Sequence, residues 1–269
     1  MTLRVSVVQT APRVGDVEAN LAAAETTIAG LAGRADVVVF PELFTTGYRL
    51  DGVDHAAFAE RLPDGPSITR LRAAAAGAAV ALVGTVLEAA DGVVYDTAVV
   101  IGADGALAGT YRKSHLYPAE RAHFAAGDGL EVVDAGVARI GLAICFEHAF
   151  PEIFTELAIG GAELIAIPSA VPIGFEYLLE LRTRARAQDN QLFVVAANLV
   201  GFDGVTEWCG RSMIVGPRGQ VLAAAGGGDP EVIRAELDAQ LTTDERLQEP
   251  ILVNRRPGLY PHLADPPRG

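Results

Sequence analysis

The chain has 269 residues, half of them hydrophobic and a fifth charged, with a formal net charge of -13. This composition excludes a disordered chain, and the acidic balance argues against nucleic acid or an anionic membrane surface as the main partner. Two cysteines are too few for a disulfide framework and indicate a reducing compartment. The first residues do not resemble a secretion signal, and no stretch approaches about 18 unbroken apolar residues. We therefore expect a cytoplasmic protein without a membrane span.

The first half of the chain alternates apolar strands with amphipathic helices. Apolar residues at helical spacing predict a helix over residues 16–31, and Ser67 as an N-cap predicts a second helix over residues 67–78. A turn at Asp104 and Gly105 indicates a hairpin. The predicted strands of this half cover residues 4–10, 36–40, 81–87, 93–101 and 107–112.

The second half repeats this alternation. The segments VVVFPEL (37–43) and LIAIPSA (164–170) each indicate a buried strand that a proline ends. We therefore predict one α/β domain built from two related halves, followed by an extended arm from Glu249 onward. The predicted helices and strands of this half cover residues 140–144, 151–159, 163–167, 177–190, 192–197 and 213–215.

The segment RIGLAICFEHAFPE places a cysteine between a predicted strand and a predicted helix. The apolar run 140–144 ends at Cys145, and Pro151 with Glu152 suits the first turn of a helix. Such turns point a side chain out of a sheet edge, where catalytic groups are often placed. From this segment alone, Cys145 is either a nucleophile or a small buried hydrophobe.

A thiol needs a base to take its proton, so polar residues at other strand ends are candidates. Glu42 directly follows VVVFP, where partial burial would raise its pKa and make it a usable base. Lys113 follows the predicted hairpin in an unusually aromatic loop. Taken alone, a turn acid at Glu42 and a solvated lysine at Lys113 are the simpler interpretations.

Three segments carry these residues, in this order: FPELFTTGY around Glu42, YRKSHLYPAER around Lys113 and GLAICFEHAFPE around Cys145. Together, in order and separation, they resemble the signature blocks of the nitrilase superfamily, the carbon–nitrogen hydrolases. The segments VSVVQT, RARAQDNQLFVVAAN, GRSMIVGPRGQVL and NRRPGLY extend the resemblance to nearly the full chain. The resemblance favours the nucleophile interpretation of Cys145.

The resemblance implies a fold and an assembly. The fold is an α-β-β-α sandwich of two related halves over residues 1–248, with residues 249–269 as an extended C-terminal arm. Members commonly dimerise through their helices into a four-layer stack, and the arm often crosses to the partner subunit. We therefore expect a homodimer or a higher homo-oligomer.

The resemblance also implies a mechanism. Glu42 is the general base, Lys113 stabilises the oxyanion, Cys145 is the nucleophile, and Glu120 occupies the place of a second glutamate seven residues after the lysine. The oxyanion also meets the backbone N–H of Phe146. The substrate is a small carboxamide, cleaved to an acid and ammonia through a thioester, and no metal or organic cofactor is needed.

Substrate contacts follow from the same resemblance. The implied pocket wall is formed by Tyr48, Phe146, Glu147, His148, Ser169, Ala170, Val171 and Pro172. His148 is alternatively a surface residue at a helix start, and the arginines of the helix at 177–190 are most simply salt-bridge or dimer partners. Cys209, beside Trp208, is expected to be a packed residue without a catalytic role.

One departure leaves the substrate class open. Glu147 stands where many amidase-type members have an aspartate, and Ala149 where they have an arginine, so the charge near the site is reduced. The alternatives are an N-carbamoyl-amine or N-carbamoyl-amino-acid hydrolase and a nitrilase. Two non-hydrolase alternatives are a binding protein on the same scaffold and a redox-sensing thiol at Cys145.

Overall fold

Two six-stranded sheets form the centre of the protein, whose computed structural model describes residues 2–264. The strands are β1 (Thr2–Gln9), β2 (Val37–Val39), β3 (Ala81–Ala90), β4 (Val93–Ile101), β5 (Leu107–Arg112), β6 (Val132–Asp134), β7 (Arg139–Leu142), β8 (Leu164–Ser169), β9 (Phe193–Asn198), β10 (Val200–Phe202), β11 (Glu207–Cys209), β12 (Met213–Val215), β13 (Val221–Ala224) and β14 (Glu231–Asp238). The α-helices are α1 (Val17–Gly30), α2 (His55–Phe58), α3 (Pro66–Ala78), α4 (Pro151–Ile159), α5 (Glu176–Asn190) and α6 (Ala239–Gln248).

The two sheets share one topology. Their strand orders are β14-β1-β2-β3-β4-β5 and β13-β12-β9-β8-β7-β6. In each sheet the three strands β1-β2-β3 or β7-β8-β9 run parallel, and antiparallel strands flank them on both sides. The segments VVVFPEL and LIAIPSA supply β2 and β8, the middle strands of the two parallel sets. This correspondence confirms the prediction of two related halves.

The layers follow from where each strand buries its side chains. Aliphatic residues of both sheets, among them Val7, Val39, Ile140 and Val195, pack into one core between the sheets. Helices α1 and α3 cover the outer face of the first sheet, and α4 and α5 cover that of the second. Because strands buried on both faces need apolar side chains throughout, they appear in the sequence as continuous apolar runs. The α-β-β-α sandwich is therefore confirmed.

Two local predictions were wrong. Strand β8 does not end before Pro168 but continues to Ser169, with Pro168 opposite Ala197 of β9. Proline is tolerated there because β7 ends at Leu142, opposite Ala166, so one side of β8 is unpaired beyond that point. The helix predicted over 67–78 begins at Pro66, and its N-cap is Gly65.

Ser67 has a different partner from the one predicted. Its backbone N–H donates to the Glu60 carboxylate at 2.9 and 3.1 Å, and its hydroxyl donates to the same carboxylate at 2.5 Å. An acid from a preceding segment therefore satisfies the free N–H groups of this helix end, which a serine side chain was expected to do.

Several elements near the C-terminus were not predicted. They are the short hairpin β10-β11, the edge strands β13 and β14, and helix α6. The alternating burial of β14 is a signal that the sequence EVIRAELD does carry. The tail beyond residue 249 has mostly exposed side chains and two 3-10 turns, Pro257–Leu259 and Pro261–Ala264. Residues 265–269 of the predicted arm lie outside the described residues.

A search of residues 2–264 for a membrane-crossing helix finds none with the required length and apolar character.

Candidate active site

Glu42 is held in a tight turn at the carboxyl end of β2. Phe40 and Phe44, on either side of it, stack with ring centroids 4.6 Å apart. Leu43 has a positive φ of 48°, and its N–H donates to the Thr85 hydroxyl at 2.7 Å. A branched residue with positive φ is uncommon and must be held by its surroundings. The turn therefore fixes the Glu42 side chain, which is fully buried.

Lys113 lies one residue beyond β5 and reaches into the same interior. Its N–H donates to the Asp96 carbonyl at 2.9 Å, which continues the pairing of β4 with β5. Its Nζ donates to Glu42 at 2.6 Å and to Glu120 at 2.7 Å. Lys113 is 1% exposed and both glutamates are 0% exposed. Lysine is almost never buried without partners, so the two carboxylates are what permit this position.

Glu120 is anchored by the 3-10 turn Pro118–Ala122. One carboxylate oxygen accepts from Lys113 and from the Tyr48 hydroxyl at 2.6 Å, and the other accepts from the Tyr117 N–H at 2.6 Å. Each oxygen therefore has a donor. Because Tyr48 and Tyr117 also line the adjacent cavity, Glu120 links the buried lysine to the cavity wall.

Cys145 lies at a strained corner beyond β7. Its φ is +44°, and it opens the 3-10 turn Cys145–Ala149. This corner presents the side chain to the cavity, as sharp turns do for other nucleophiles. The predicted exposure of Cys145 at a sheet edge is consistent with this geometry.

The charges around Cys145 favour a resting thiol rather than a thiolate. Burial raises the pKa of Cys145 well above its ordinary value, and the Glu42 charge adds to this, while Lys113 opposes it. Burial also raises the pKa of Glu42, against the opposing effect of Lys113. A carboxylate with a raised pKa is the type of base that can accept the thiol proton.

Lys113 stays charged in this environment. Burial by itself lowers the pKa of Lys113, but the charges of Glu42 and Glu120 outweigh it and hold the pKa well above its ordinary value. The site therefore has a fixed positive charge close to Cys145.

Three carboxylates at the site come close enough to suggest a metal. Oxygen atoms of Glu42, Asp96 and Glu120 lie within 4.8 Å of one another. The Lys113 Nζ, however, lies 2.6, 4.0 and 2.7 Å from these three groups in turn. The ammonium group therefore occupies the position that a cation would take.

A cavity of about 240 Å³ opens beside Cys145. Its walls are mainly aromatic and aliphatic, a typical lining for a small-molecule site. The lining residues are Tyr48, Leu50, Tyr117, Glu120, Cys145, Phe146, His148, Ala170, Val171, Pro172, Phe175, Leu178, Arg182, Thr206 and Trp208.

Most of the predicted pocket residues line this cavity, and two do not. Tyr48, Phe146, His148, Ala170, Val171 and Pro172 are in the wall. Ser169 and Glu147 are fully buried and are absent from the lining. The backbone carbonyl of Ser169 accepts from the Glu42 N–H at 3.4 Å and from the Leu199 N–H at 3.2 Å, so Ser169 contacts the turn of the candidate base.

Glu147 joins the Lys113 loop to the Cys145 turn. One oxygen accepts from the Tyr111 hydroxyl at 2.6 Å and from the N–H and hydroxyl of Ser114 at 2.8 and 2.7 Å. The other accepts from the Ile144 N–H at 2.7 Å. Although burial raises the pKa of Glu147, these hydrogen bonds and His115 lower it overall. Glu147 is therefore an ionised clamp that joins the loop of Lys113 to the turn of Cys145.

Arg182 is a cavity residue that the sequence did not single out. Arg184 and Arg186 of the same helix form ion pairs with Glu180 and Asp189, as expected. Arg182 instead lines the cavity and donates to His148 Nε2 at 3.0 Å. Burial and the neighbouring guanidinium lower the pKa of His148 to about 3, so the imidazole is neutral.

Comparison with known proteins identifies the family. The model of the carbon-nitrogen hydrolase family matches residues 4–246. The chain belongs to the carbon–nitrogen hydrolase family. This family member is 36% identical to a hydrolase of Pseudomonas protegens over 266 residues, 98% of this chain and 92% of that one. An (R)-stereoselective amidase of a Pseudomonas species is 35% identical over 269 residues, 99% of this chain and 96% of that one.

A solved structure supports the same assignment. It is a variant of an amidase from Nesterenkonia sp. with the acetamide moiety of fluoroacetamide covalently added at its active-site cysteine. That chain is 27% identical, the TM-score is 0.85, and the match covers 96% of this chain and 95% of that one. The carbon–nitrogen hydrolase described here is thus an enzyme that acts on non-peptide carbon–nitrogen bonds.

Replacing Glu147 by Gln tests its role as a clamp. The amide group puts a donor where backbone and hydroxyl donors converge, so we expect a loss of about 1–3 kcal/mol in the free energy of unfolding and a lower kcat. Because folding lowers the pKa of Glu147, its carboxylate stabilises the fold above its unfolded pKa. This contribution is lost as the pH falls through the folded value.

Urea unfolding across a pH series measures the effect, with Glu156→Gln, at an exposed position of α4, as the matched control. We expect the gap between wild type and Glu147→Gln to narrow at low pH. A gap that is constant with pH, or equal to that of the control, would contradict the ionised clamp.

Proposed function

We propose that this enzyme hydrolyses a small carboxamide to a carboxylic acid and ammonia, with Cys145 as nucleophile, Glu42 as general base and Lys113 as oxyanion stabiliser. The observation that carries the proposal is the fully buried ion-pair group of Lys113 with Glu42 and Glu120, next to a strained cysteine at a cavity. A buried ion-pair group of this kind is expensive to maintain, which favours a catalytic over a structural role.

The first half of the reaction forms a thioester. Glu42 accepts the S–H proton, and the sulfur bonds to the carbonyl carbon of the amide. The carbonyl oxygen gains negative charge, which Lys113 and the Phe146 N–H stabilise; one such donor is worth on the order of 100-fold or more in rate. The intermediate collapses, the C–N bond breaks, and Glu42 returns its proton to the leaving nitrogen as ammonia departs.

The second half returns the enzyme to its starting state. Water enters where ammonia left, and Glu42 takes one of its protons as the oxygen bonds to the thioester carbon. The C–S bond then breaks, the carboxylic acid leaves, and the proton on Glu42 returns to the sulfur. Glu120 holds Lys113 in place throughout, through its own bonds to Tyr48 and Tyr117.

The amidase relatives favour the amide over the other substrates. N-carbamoyl compounds and nitriles remain the alternatives within the family, since fold does not fix substrate. The intact set of Glu42, Lys113, Glu120 and Cys145 argues against a binding protein that has lost its activity. A redox sensor at Cys145 would form a reversible sulfenate and would not turn over amides.

The first test is ammonia release from a panel of carboxamides, N-carbamoyl compounds and nitriles. We expect release from carboxamides, and a loss of at least on the order of 1,000-fold in Cys145→Ala because the nucleophile is gone. Cys209→Ala serves as the matched control. It removes a buried thiol that accepts a hydrogen bond from Asn198, and we expect it to retain activity. Release by Cys145→Ala at the wild-type rate would refute the thiol mechanism.

We also propose that the preferred amide carries a carboxylate at the end of an apolar acyl chain. The cavity walls next to Cys145 are apolar, while Arg182 brings a guanidinium group into the same cavity. Its partner His148 is neutral, and among residues 2–264 no carboxylate lies within ion-pair distance of Arg182. A substrate carboxylate would supply the missing anion through charge-assisted hydrogen bonds.

Paired substrates test this preference. Succinamate and butyramide have similar chains, and only succinamate has a carboxylate. In Arg182→Gln we expect kcat/KM for succinamate to fall about 10- to 100-fold, with little change for butyramide. Arg184→Gln, on the same helix but outside the cavity, is the control. Equal losses for both substrates would refute the contact.

We further propose that the enzyme is a cytoplasmic homodimer. Tyr177 and Leu181 lie one turn apart on α5 with 66% and 60% of their surface exposed, and Ile159 at the end of α4 is 52% exposed. Apolar residues grouped on an outer helical layer are typical of a subunit interface. The two unpaired cysteines support a reducing compartment.

Light scattering on protein recovered from the cytoplasmic fraction tests both statements. We expect twice the 28.1 kDa mass of the chain for the wild type, and a monomer for Leu181→Glu because a charge would be buried at the interface. Val93→Glu, at an exposed strand end, is the control. A monomeric wild type, or absence from that fraction, would contradict the proposal.

A further inference from the structure

Asp96 is a fourth buried acid at the active site, and the mechanism above gives it no role. It lies in β4, whose other buried residues are Thr97 and a run of apolar side chains, and it is 0% exposed. Its carboxylate lies beside that of Glu42, with an oxygen atom of each within 4.8 Å of the other. A buried acid on this strand needs a reason, because an unpaired buried carboxylate is strongly destabilising.

The hydrogen-bond donors at the site are unequally divided among the carboxylates of Glu42, Asp96 and Glu120. Glu120 accepts from Lys113, Tyr48 and Tyr117, and Glu42 accepts from Lys113. Among the described residues, no N–H or hydroxyl group donates to either oxygen of Asp96 or to the second oxygen of Glu42. Two carboxylates that face each other can form a hydrogen bond only when one of them carries a proton.

The charge balance indicates which acid carries that proton. Three ionised carboxylates around one ammonium would leave two uncompensated negative charges in a fully buried site. The Lys113 Nζ is 2.6 Å from Glu42 but 4.0 Å from Asp96, so it stabilises the charge of Glu42 more. Burial, together with the Glu42 charge, holds the pKa of Asp96 well above its usual range. The proton belongs on Asp96.

We propose that Asp96 is a positioning residue: as a neutral carboxylic acid it donates a hydrogen bond to the Glu42 carboxylate and keeps that base ionised and aimed at Cys145. A carboxylate has about four lone-pair sites, so bonds from Lys113 and Asp96 leave two, and one of these can accept the thiol proton. This role rests on the proposed function of Glu42 as the base.

The pH dependence of Cys145 reactivity separates a neutral Asp96 from an ionised one. The charged or titratable groups around Glu42 are Tyr48, Asp96, Lys113, Glu120 and Cys145. Glu42 must be ionised to accept the thiol proton, so alkylation of Cys145 by iodoacetamide rises with pH through the pKa of Glu42. This measurement does not require turnover. It therefore still reports the protonation state of Asp96 if no amide in the panel is a substrate.

Two variants give opposite predictions for the two states. If Asp96 is a neutral donor, Asp96→Asn keeps a donor at unchanged charge. The rise of the alkylation rate with pH, the acid limb of the profile, then stays at the same pH. Asp96→Val removes the donor and moves the limb up by about one pH unit or more. If Asp96 is ionised, Asn and Val both remove a negative neighbour of Glu42, and the limb moves down. Cys145→Ala gives the background from Cys209.

The result expected is an unmoved limb for Asp96→Asn, with an upward shift and at least a tenfold slower reaction at neutral pH for Asp96→Val. A downward shift in Asp96→Asn would overturn the proposal, as would a Val variant that matches the wild type. If Asp96→Val does not fold, Asp96→Asn alone tests the proposal. A downward shift of its acid limb indicates an ionised Asp96, and an unmoved limb indicates a neutral one. Where amide turnover is measurable, the acid limb of kcat/KM should follow the same order.

Discussion

The buried ammonium group of Lys113 is the interaction on which the rest of the site depends. It is fully removed from water and lies between the carboxylates of Glu42 and Glu120. With only one of these carboxylates, the buried ammonium charge would lose one of its two ion-pair partners. Without both, the lysine could not stay charged. The two acids and the lysine are therefore a unit, and changing one of them changes the protonation of the others.

The two-sheet fold makes this unit possible. Glu42 comes from the end of β2 and Lys113 from the end of β5, in one sheet, while Cys145 follows β7 in the other. The apolar core between the sheets supplies the dry surroundings that raise the pKa of Glu42 and Cys145 and strengthen the ion pairs. Glu147 fastens the two sheets together at this point, since it bonds both the loop after β5 and the turn after β7.

Predictions from sequence succeeded where local patterns decide structure. The apolar runs predicted most strands, the helical spacing predicted α1, Pro151 and Glu152 predicted the start of α4, and the motif segments predicted which residues would meet at the site. They failed where the deciding partner is distant in sequence. Ser67 bonds to Glu60 instead of capping its helix, and Pro168 continues β8 because its neighbour strand has ended. Arg182 was expected, with the other arginines of its helix, to be a salt-bridge or dimer partner, but it lines the cavity.

The sequence by itself determined the α/β sandwich, its two related halves and the identity of the glutamate, lysine and cysteine candidates. Periodicity and motifs are properties of short segments, and they survive without knowledge of packing. Only the tertiary structure decided which acids share the buried interior, that Glu147 clamps two loops rather than lining the pocket, and that Asp96 lies beside Glu42. The reason is that desolvation and charge compensation depend on groups brought together from separate strands, which no local pattern records.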